Sequence, residues 1–199
     1  IQILGVNNSI TNVSIRNVNI SSRFLRLDSG PTYLIDMPHI ESYSLSTAGV
    51  GLIVRNTKFG EIRFLTGVNG TGTNLTRDVN IKNNLAEVRS DLNIGLNKSA
   101  NVTLYNLETF LRPLIFRNDF PCGKSCYNFT SLHNGGNVVF NVTAWTTYSI
   151  RENSTIINSC PYTISAPGPY ALNKSLNATG DCIIIAANNV SLDGRVFRI

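Results

Sequence analysis

Charge is scarce in this chain. Charged residues make up only 15% of its 199 residues, against about 25% in typical globular proteins. Twelve are acidic, which leaves few carboxylates for paired acid–base chemistry. Methionine and tryptophan occur once each. No window reaches the ~20 apolar residues that a membrane helix needs. No signal peptide is visible and the chain does not begin with Met, so either a leader has been removed or the numbering starts inside a longer chain. No useful stretch repeats apolar residues at the helical i, i+3, i+4 spacing. The 17 Lys and Arg residues form no basic run and have no interleaved aromatics. The net charge of +5 and the pI of about 9.2 therefore describe a solvated basic surface, not a nucleic-acid face.

What is present suits strands. Hydrophobic residues reach 42%, enough for a core in one large domain or two small ones. Asn, Ser and Thr supply the polarity that charge does not, as strand surfaces and turns require. In residues 1–65, Ile10, Val13, Ile15, Val18 and Ile20 alternate with Ser, Asn and Arg. Apolar runs follow at Phe24–Leu27, Tyr33–Ile35, Gly49–Val54 and Ile62–Leu65. Like rungs recur at roughly 20–25 residues, the spacing of a β-solenoid whose coils bury their inner faces by stacking. Residues 66–82 carry Gly67, Gly70 and Gly72 and read as a linker or long loop. Leu85–Leu92 fits either a short helix or an irregular strand. Residues 83–150 read as a β-sandwich with longer strands at Asn101–Leu107 and Asn137–Thr143. Trp145 is its expected core anchor, a sugar-stacking platform being the other reading. Residues 151–159 form a polar connector. Residues 160–199 open a second solenoid, with apolar runs separated by Pro167-Gly168, Asn177–Asp181 and Asn188-Asn189.

Four cysteines allow three connectivities, and sequence alone does not choose among them. Locality favours Cys122 with Cys126 and Cys160 with Cys182. A zinc site is the rival, but C-x-x-C spacing is lacking and no His lies near either pair. Two disulfides imply an oxidising, extracytoplasmic compartment. Asn-x-Ser/Thr occurs at Asn7, Asn12, Asn19, Asn69, Asn74, Asn97, Asn101, Asn128, Asn141, Asn153, Asn173, Asn177 and Asn189. An Asn/Thr-rich β protein generates some sequons by chance. Those carrying a glycan must be at the surface.

The residues also resemble a known family. Cys160…Ile164-Ser-x-Pro-Gly168-x-Tyr170-x-Leu172…Cys182-Ile-x-Ile-x-Ala187-Asn-Asn-Val190-x-Leu192-Asp193-Gly194 looks like the opening of archaeal surface proteins with right-handed parallel β-helix repeats. Gly95–Leu107, Cys122…Cys126 and Val139–Ser149 resemble the sandwich modules that follow such solenoids. The resemblance implies an extracellular glycosylated surface protein: S-layer-like, adhesin-like, or a subunit of filaments such as the hooked archaeal hami. The usual order is solenoid then sandwich, whereas here half-solenoids flank the sandwich.

The expected fold is therefore all-β: a right-handed parallel β-helix split between the two chain ends, plus an Ig-like β-sandwich. Residues 160–199 are expected to stack on residues 1–22 of the next copy. The assembly candidates are Ile1, Ile3, Val6, Asn7 and Asn8 at one end. At the other they are Ile183, Ile185, Asn188, Asn189, Val190, Leu192, Val196, Phe197 and Ile199. The expected partners are copies of the chain, N-linked glycans and surfaces or other cells, with no nucleic acid, membrane span, metal or cofactor. The alternatives are an adhesin or carbohydrate-binding module and a polysaccharide-active β-helix enzyme. Exposed aromatic rows would favour sugar binding, but Tyr33, Tyr43 and Tyr170 are dispersed. Glycoside chemistry needs two carboxylates roughly 5–10 Å apart. Asp28, Asp36 and Glu41, with His39 between the last two, are the candidates, against the plainer reading of a polar loop around Pro38. His39 and His133 have no recognisable Ser-His-Asp setting, so no catalytic residue is assigned.

Overall fold

Short strands with one apolar face cannot bury that face alone. In the computed structural model they do so by stacking, and the chain is all-β with a β-solenoid arrangement. The structure describes residues 2–3, 8–11, 14–15, 25–27, 32–47, 51–110, 112–194 and 196–199. Two compact units form: Ile1–Thr109 with Ile115–Ile150, and Phe110–Leu114 with Arg151–Ile199.

The first unit starts with β1 (Gln2–Ile3), β2 (Asn8–Thr11), β3 (Ser14–Ile15), β4 (Leu25–Leu27), β5 (Thr32–Ile35), β6 (His39–Ser46) and β7 (Ile53–Asn56). All pair in parallel. Tyr33 lies between Ser9 and Ile53, Arg26 between Gln2 and Ser44, and Ser14 beside His39. These returns agree with the rung spacing read from sequence. The corners use positive φ at Asp36 (49°) and Ser42 (46°). At Ser42 the chain leaves the ladder of β3 and joins that of β4. Such conformations are unfavourable for residues other than glycine. At Asp36 the carboxylate offsets the cost by accepting from the backbone N–H and the hydroxyl of Thr57, at 2.8 and 2.7 Å.

The strand direction then reverses. β8 (Gly60–Phe64) pairs antiparallel with β7 through a turn in which Asn56 Oδ1 accepts from the N–H groups of Lys58 and Phe59. There follow β9 (Asn69–Asn74), α1 (Leu75–Asp78), β10 (Val79–Lys82), β11 (Leu85–Val88), β12 (Ala100–Leu107), β13 (Pro113–Arg117), β14 (Phe120–Pro121), β15 (Cys126–Asn128), β16 (Gly136–Val142) and β17 (Thr147–Glu152). One seven-stranded sheet runs β15-β16-β12-β8-β7-β5-β2, so the solenoid ladder continues directly into antiparallel strands. A second sheet runs β10-β11-β17-β13-β14. Close approach of β8 to β12 demands Gly60, because a Cβ there would lie 2.1 Å from the Thr103 carbonyl oxygen. The aromatic cluster ties residues of both sheets: Phe140 sits 6.3 Å from Tyr148, and Trp145 sits 5.7 Å from Tyr148 and 5.8 Å from Phe64.

Residues 69–82, expected as linker or loop, instead form β9, α1 and β10. β9 pairs antiparallel with β6, and its glycines have a packing reason. The Tyr43 ring lies across Gly72, where a Cβ would meet ring atoms at 2.4 Å. Asn74 begins α1 by accepting from the Arg77 N–H at 2.9 Å, a side-chain N-cap. Leu85–Val88 is strand, not helix.

The second unit holds β18 (Thr155–Ile157), β19 (Tyr162–Ile164), β20 (Gly168–Leu172), β21 (Ile183–Ile185) and β22 (Val190–Asp193). Two parallel ladders result, β18-β20-β22 and β19-β21. Tyr170 lies between Thr155 and Leu192, and Tyr162 lies beside Ile183. Ile157, Ile164, Tyr170, Leu172, Leu176 and Cys182 form the core. The expected connector 151–159 contains the end of β17 and the whole of β18.

Candidate functional site

The last coil of the second unit is the first feature that sets a region apart. All five residues of β20 are buried, yet β21 leaves Ile184 and Ile185 exposed at 45% and 55%. Leu192, Val196 and Ile199 are also exposed. β21 and β22 are the outer strands of their ladders, so one row of backbone N–H and C=O groups on each has no strand partner among the described residues. At the other end of the chain, β1 and β2 are the outer strands of the ladders they begin.

The assembly candidates divide accordingly. Ile185, Asn188, Asn189, Leu192, Val196 and Ile199 are exposed. Ile183, Val190 and Phe197 turn inward and pack on the core of their own unit. Phe197 is therefore a support of this coil more than a part of its exposed edge. Ile3 and Asn8 lie on β1 and β2. Ile1, Val6 and Asn7 fall outside the described residues, as do Asn12, Asn19 and Asp28.

The carboxylates read as catalytic candidates have structural partners. Asp36 holds Thr57, and Glu41 Oε1 lies 2.9 Å from His39 Nε2. Beside them a cleft of about 250 Å³ is lined by Asp36, Pro38, Arg55, Thr76 and Asn80. Arg55 is committed to Glu61, which also takes Arg63 at 3.2 Å. The hydrogen bond to Glu61 holds the Arg55 guanidinium above its ordinary pKa. Asp78, 1% exposed, accepts from the Tyr43 hydroxyl at 2.7 Å and from Arg77 Nε at 2.8 Å. Burial first, and the Asp78 carboxylate with it, push the Tyr43 phenol well above its ordinary pKa. Among the described residues no group of three His, Cys, Asp or Glu side chains is placed to hold a metal. His133 is exposed on a loop.

Both local cysteine pairs are disulfides, with Cα–Cα distances of 5.8 Å for Cys122–Cys126 and 4.7 Å for Cys160–Cys182. Such bonds persist in oxidising compartments outside the cytoplasm. Among the described residues no helix is long and apolar enough to cross a membrane. Trp145 is buried, which removes it as a sugar platform. Tyr43 and Tyr170 are buried as well. Among the described residues the exposed Phe and Tyr rings are instead Phe120, Tyr127 and Phe129, around the Cys122–Cys126 loop. Sequence reasoning used this loop only as a staple. Its signal was the short spacing of three aromatics around a disulfide.

The sequons also separate. Asn153, Asn173, Asn177 and Asn189 are exposed. Asn141 Nδ2 donates to the Ala100 carbonyl and to Asn101 Oδ1, both at 3.1 Å. Asn97 Oδ1 accepts from the Trp145 N–H at 2.8 Å. Asn69 is exposed on β9, and Asn128 is exposed with Nδ2 on the Thr130 carbonyl. No family model, curated protein or solved structure matches the chain.

Proposed function

We propose that this chain is a structural building block, subunit or covalent repeat, of a glycosylated extracellular filament or surface array of the archaeal kind. Copies join head to tail by solenoid stacking, and the chain is not an enzyme. One observation carries the reading: the uncovered outer coil, β21 and β22, with exposed Ile184, Ile185 and Leu192. An unpaired strand row beside exposed apolar side chains is a template for another strand. The strands that begin the opposite ladders, β1 and β2, offer the matching edge. A contact between two different edges is heterologous and propagates as an open fibre unless rotation closes it. Partnered carboxylates at Asp36, Glu41 and Glu61 weigh against acid–base chemistry. Within the first unit, the antiparallel strands of the seven-stranded sheet and the sheet through β11 and β17 are read as an Ig-like sandwich around Trp145. Tyr148 donates to the Ala144 carbonyl four residues back, a corner device of such sandwiches.

Electron microscopy of native material, with intact mass after dissociation, tests the reading. Fibres of separate units near 21.8 kDa plus glycan mass indicate subunits, and fibres with a larger covalent mass indicate repeats. Monodisperse particles with no end-to-end contact defeat it. Ile185→Asp combined with Leu192→Asp is the matched variant, since both side chains are exposed and neither belongs to the core of the unit.

A further inference from the structure

The loop around Cys122–Cys126 is built as a clip. β14 is the outer strand of the five-stranded sheet and β15 the outer strand of the seven-stranded one. The disulfide joins the end of the first to the start of the second. It therefore holds Phe120 and Pro121 at a set distance from Tyr127. These rings are not core: Phe120 is 74% exposed, Tyr127 67% and Phe129 54%. Tyr127 and Phe129, two residues apart along the chain, meet edge to face at 5.3 Å.

Holding three rings in water costs hydrophobic free energy that core packing would recover. Covalent clamping keeps them preorganised for a ligand. Together they offer on the order of 400 Å² of surface, well short of the ~800 Å² per partner in a stable protein interface. The loop itself is almost uncharged: from Phe120 to Asn137 the only formally charged side chain is Lys124, and the charges at its edge, Asp119 before Phe120 and Arg117 opposite it on β13, are of opposite sign. The nearby polar groups are amides, hydroxyls and an imidazole, at Asn128, Ser131 and His133. Flat apolar rings beside neutral donors and acceptors match a neutral, polyhydroxylated ligand with apolar C–H faces. We infer that this clip is a carbohydrate-binding site for neutral saccharides. The assignment does not depend on the end-to-end contact.

The test is native gel retardation of the full chain in gels containing mannan, galactomannan, mixed-linkage β-glucan or soluble chitin oligomers, with polygalacturonate as the acidic control. Retardation is expected with at least one neutral polymer and not with polygalacturonate. Phe120→Ala and Tyr127→Ala should each weaken it about tenfold, with an unchanged far-UV spectrum, because both side chains are solvent-facing. Replacing Cys122 and Cys126 with Ser should weaken it too. Failure with every neutral polymer, equal retardation by polygalacturonate, or retardation indifferent to both ring variants overturns the assignment. Asn128 lies in a sequon between two of the rings, so Asn128→Gln is run in parallel. Retardation that appears only in that variant would assign the rings to the chain's own glycan and equally overturn an external ligand. A dimer on gel filtration that Tyr127→Ala dissolves would assign the rings to a protein contact instead.

Discussion

The chain contains two sets of parallel ladders that end differently. In the first unit the ladder β2-β5-β7 is closed by a reversal: β8 returns antiparallel, with Ile62 and Phe64 fully buried. The ladder through β4 and β6 is closed the same way by β9. In the second unit β20 is wholly buried, but β22 after it has one half-buried and three exposed residues. Parallel stacking has no intrinsic stop, because each coil presents the edge that received it. The first unit supplies a stop through composition, with Gly60 where β8 must approach β12 and Gly72 where Tyr43 must lie across β9. The second unit supplies none among the described residues.

The comparison breaks most severely at the closed ladders. Trp145→Ala removes the ring that touches Phe64 and Tyr148, and it should cost about 4 kcal/mol. Urea denaturation followed by circular dichroism measures it; a loss under about 1 kcal/mol would mean that the stop does not depend on this core. Next comes the open ladder's own staple. Replacing Cys160 and Cys182 with Ser releases a link across a sequence separation of 22 and should cost about 3 kcal/mol. The shorter Cys122–Cys126 link should cost less, about 2 kcal/mol. Equal losses would show that native-state contacts, not chain closure, set the effect.

The ladders were legible because period-2 alternation and coil spacing are local signals. Ile10, Tyr33–Ile35 and Ile183–Ile185 all lie on parallel strands. The cysteine pairs were legible because each is short in sequence. The stop was not. Gly70 and Gly72 read as freedom in a linker, whereas Gly72 is required by the ring of Tyr43, from a strand about thirty residues earlier, and Gly70 by the side chain of Asn93, about twenty residues later. The reversal at Asn56–Gly60 was equally hidden, since a buried strand has the same pattern whichever way its neighbour runs. Exposure was illegible too: Phe120 and Phe197 are chemically alike, yet one faces water and the other its own core.

A smaller effect probes the network under β9. Tyr43 donates to buried Asp78 and accepts from Asn93 Nδ2 at 3.1 Å, so Tyr43→Phe should cost about 2 kcal/mol at neutral pH. The phenol's folded pKa lies above its unfolded value of 10.0, so its stabilisation is complete below pH 10 and is lost as pH rises toward the folded value. Burial shifts Tyr105 and Tyr148 in the same direction. The gap between wild type and Tyr43→Phe should therefore narrow above pH 10. Urea midpoints from pH 7 to 11 check it, and a constant gap would deny Tyr43 the alkaline role.

The smallest effect on stability sharpens the comparison at the sequons. A glycan replaces one hydrogen on Asn Nδ2, so a nitrogen that donates to two acceptors must first give up one of them. Asn141 Nδ2 joins β16 to β12 through two acceptors and is only half exposed. Asn173 and Asn177, in the second unit, are exposed with no side-chain hydrogen bond among the described residues. Peptide mapping of native protein should find glycan at Asn173 and Asn177 and none at Asn141. Asn141→Ala should cost about 1 kcal/mol, since it strips two hydrogen bonds from a half-buried site. Asn173→Ala should stay within about 0.5 kcal/mol, as surface changes do. Glycan at Asn141 would mean that this edge of β16 opens during synthesis. Bare Asn173 and Asn177, with Asn153 and Asn189 bare as well, would remove the glycoprotein reading from the second unit, where all four acceptors are exposed.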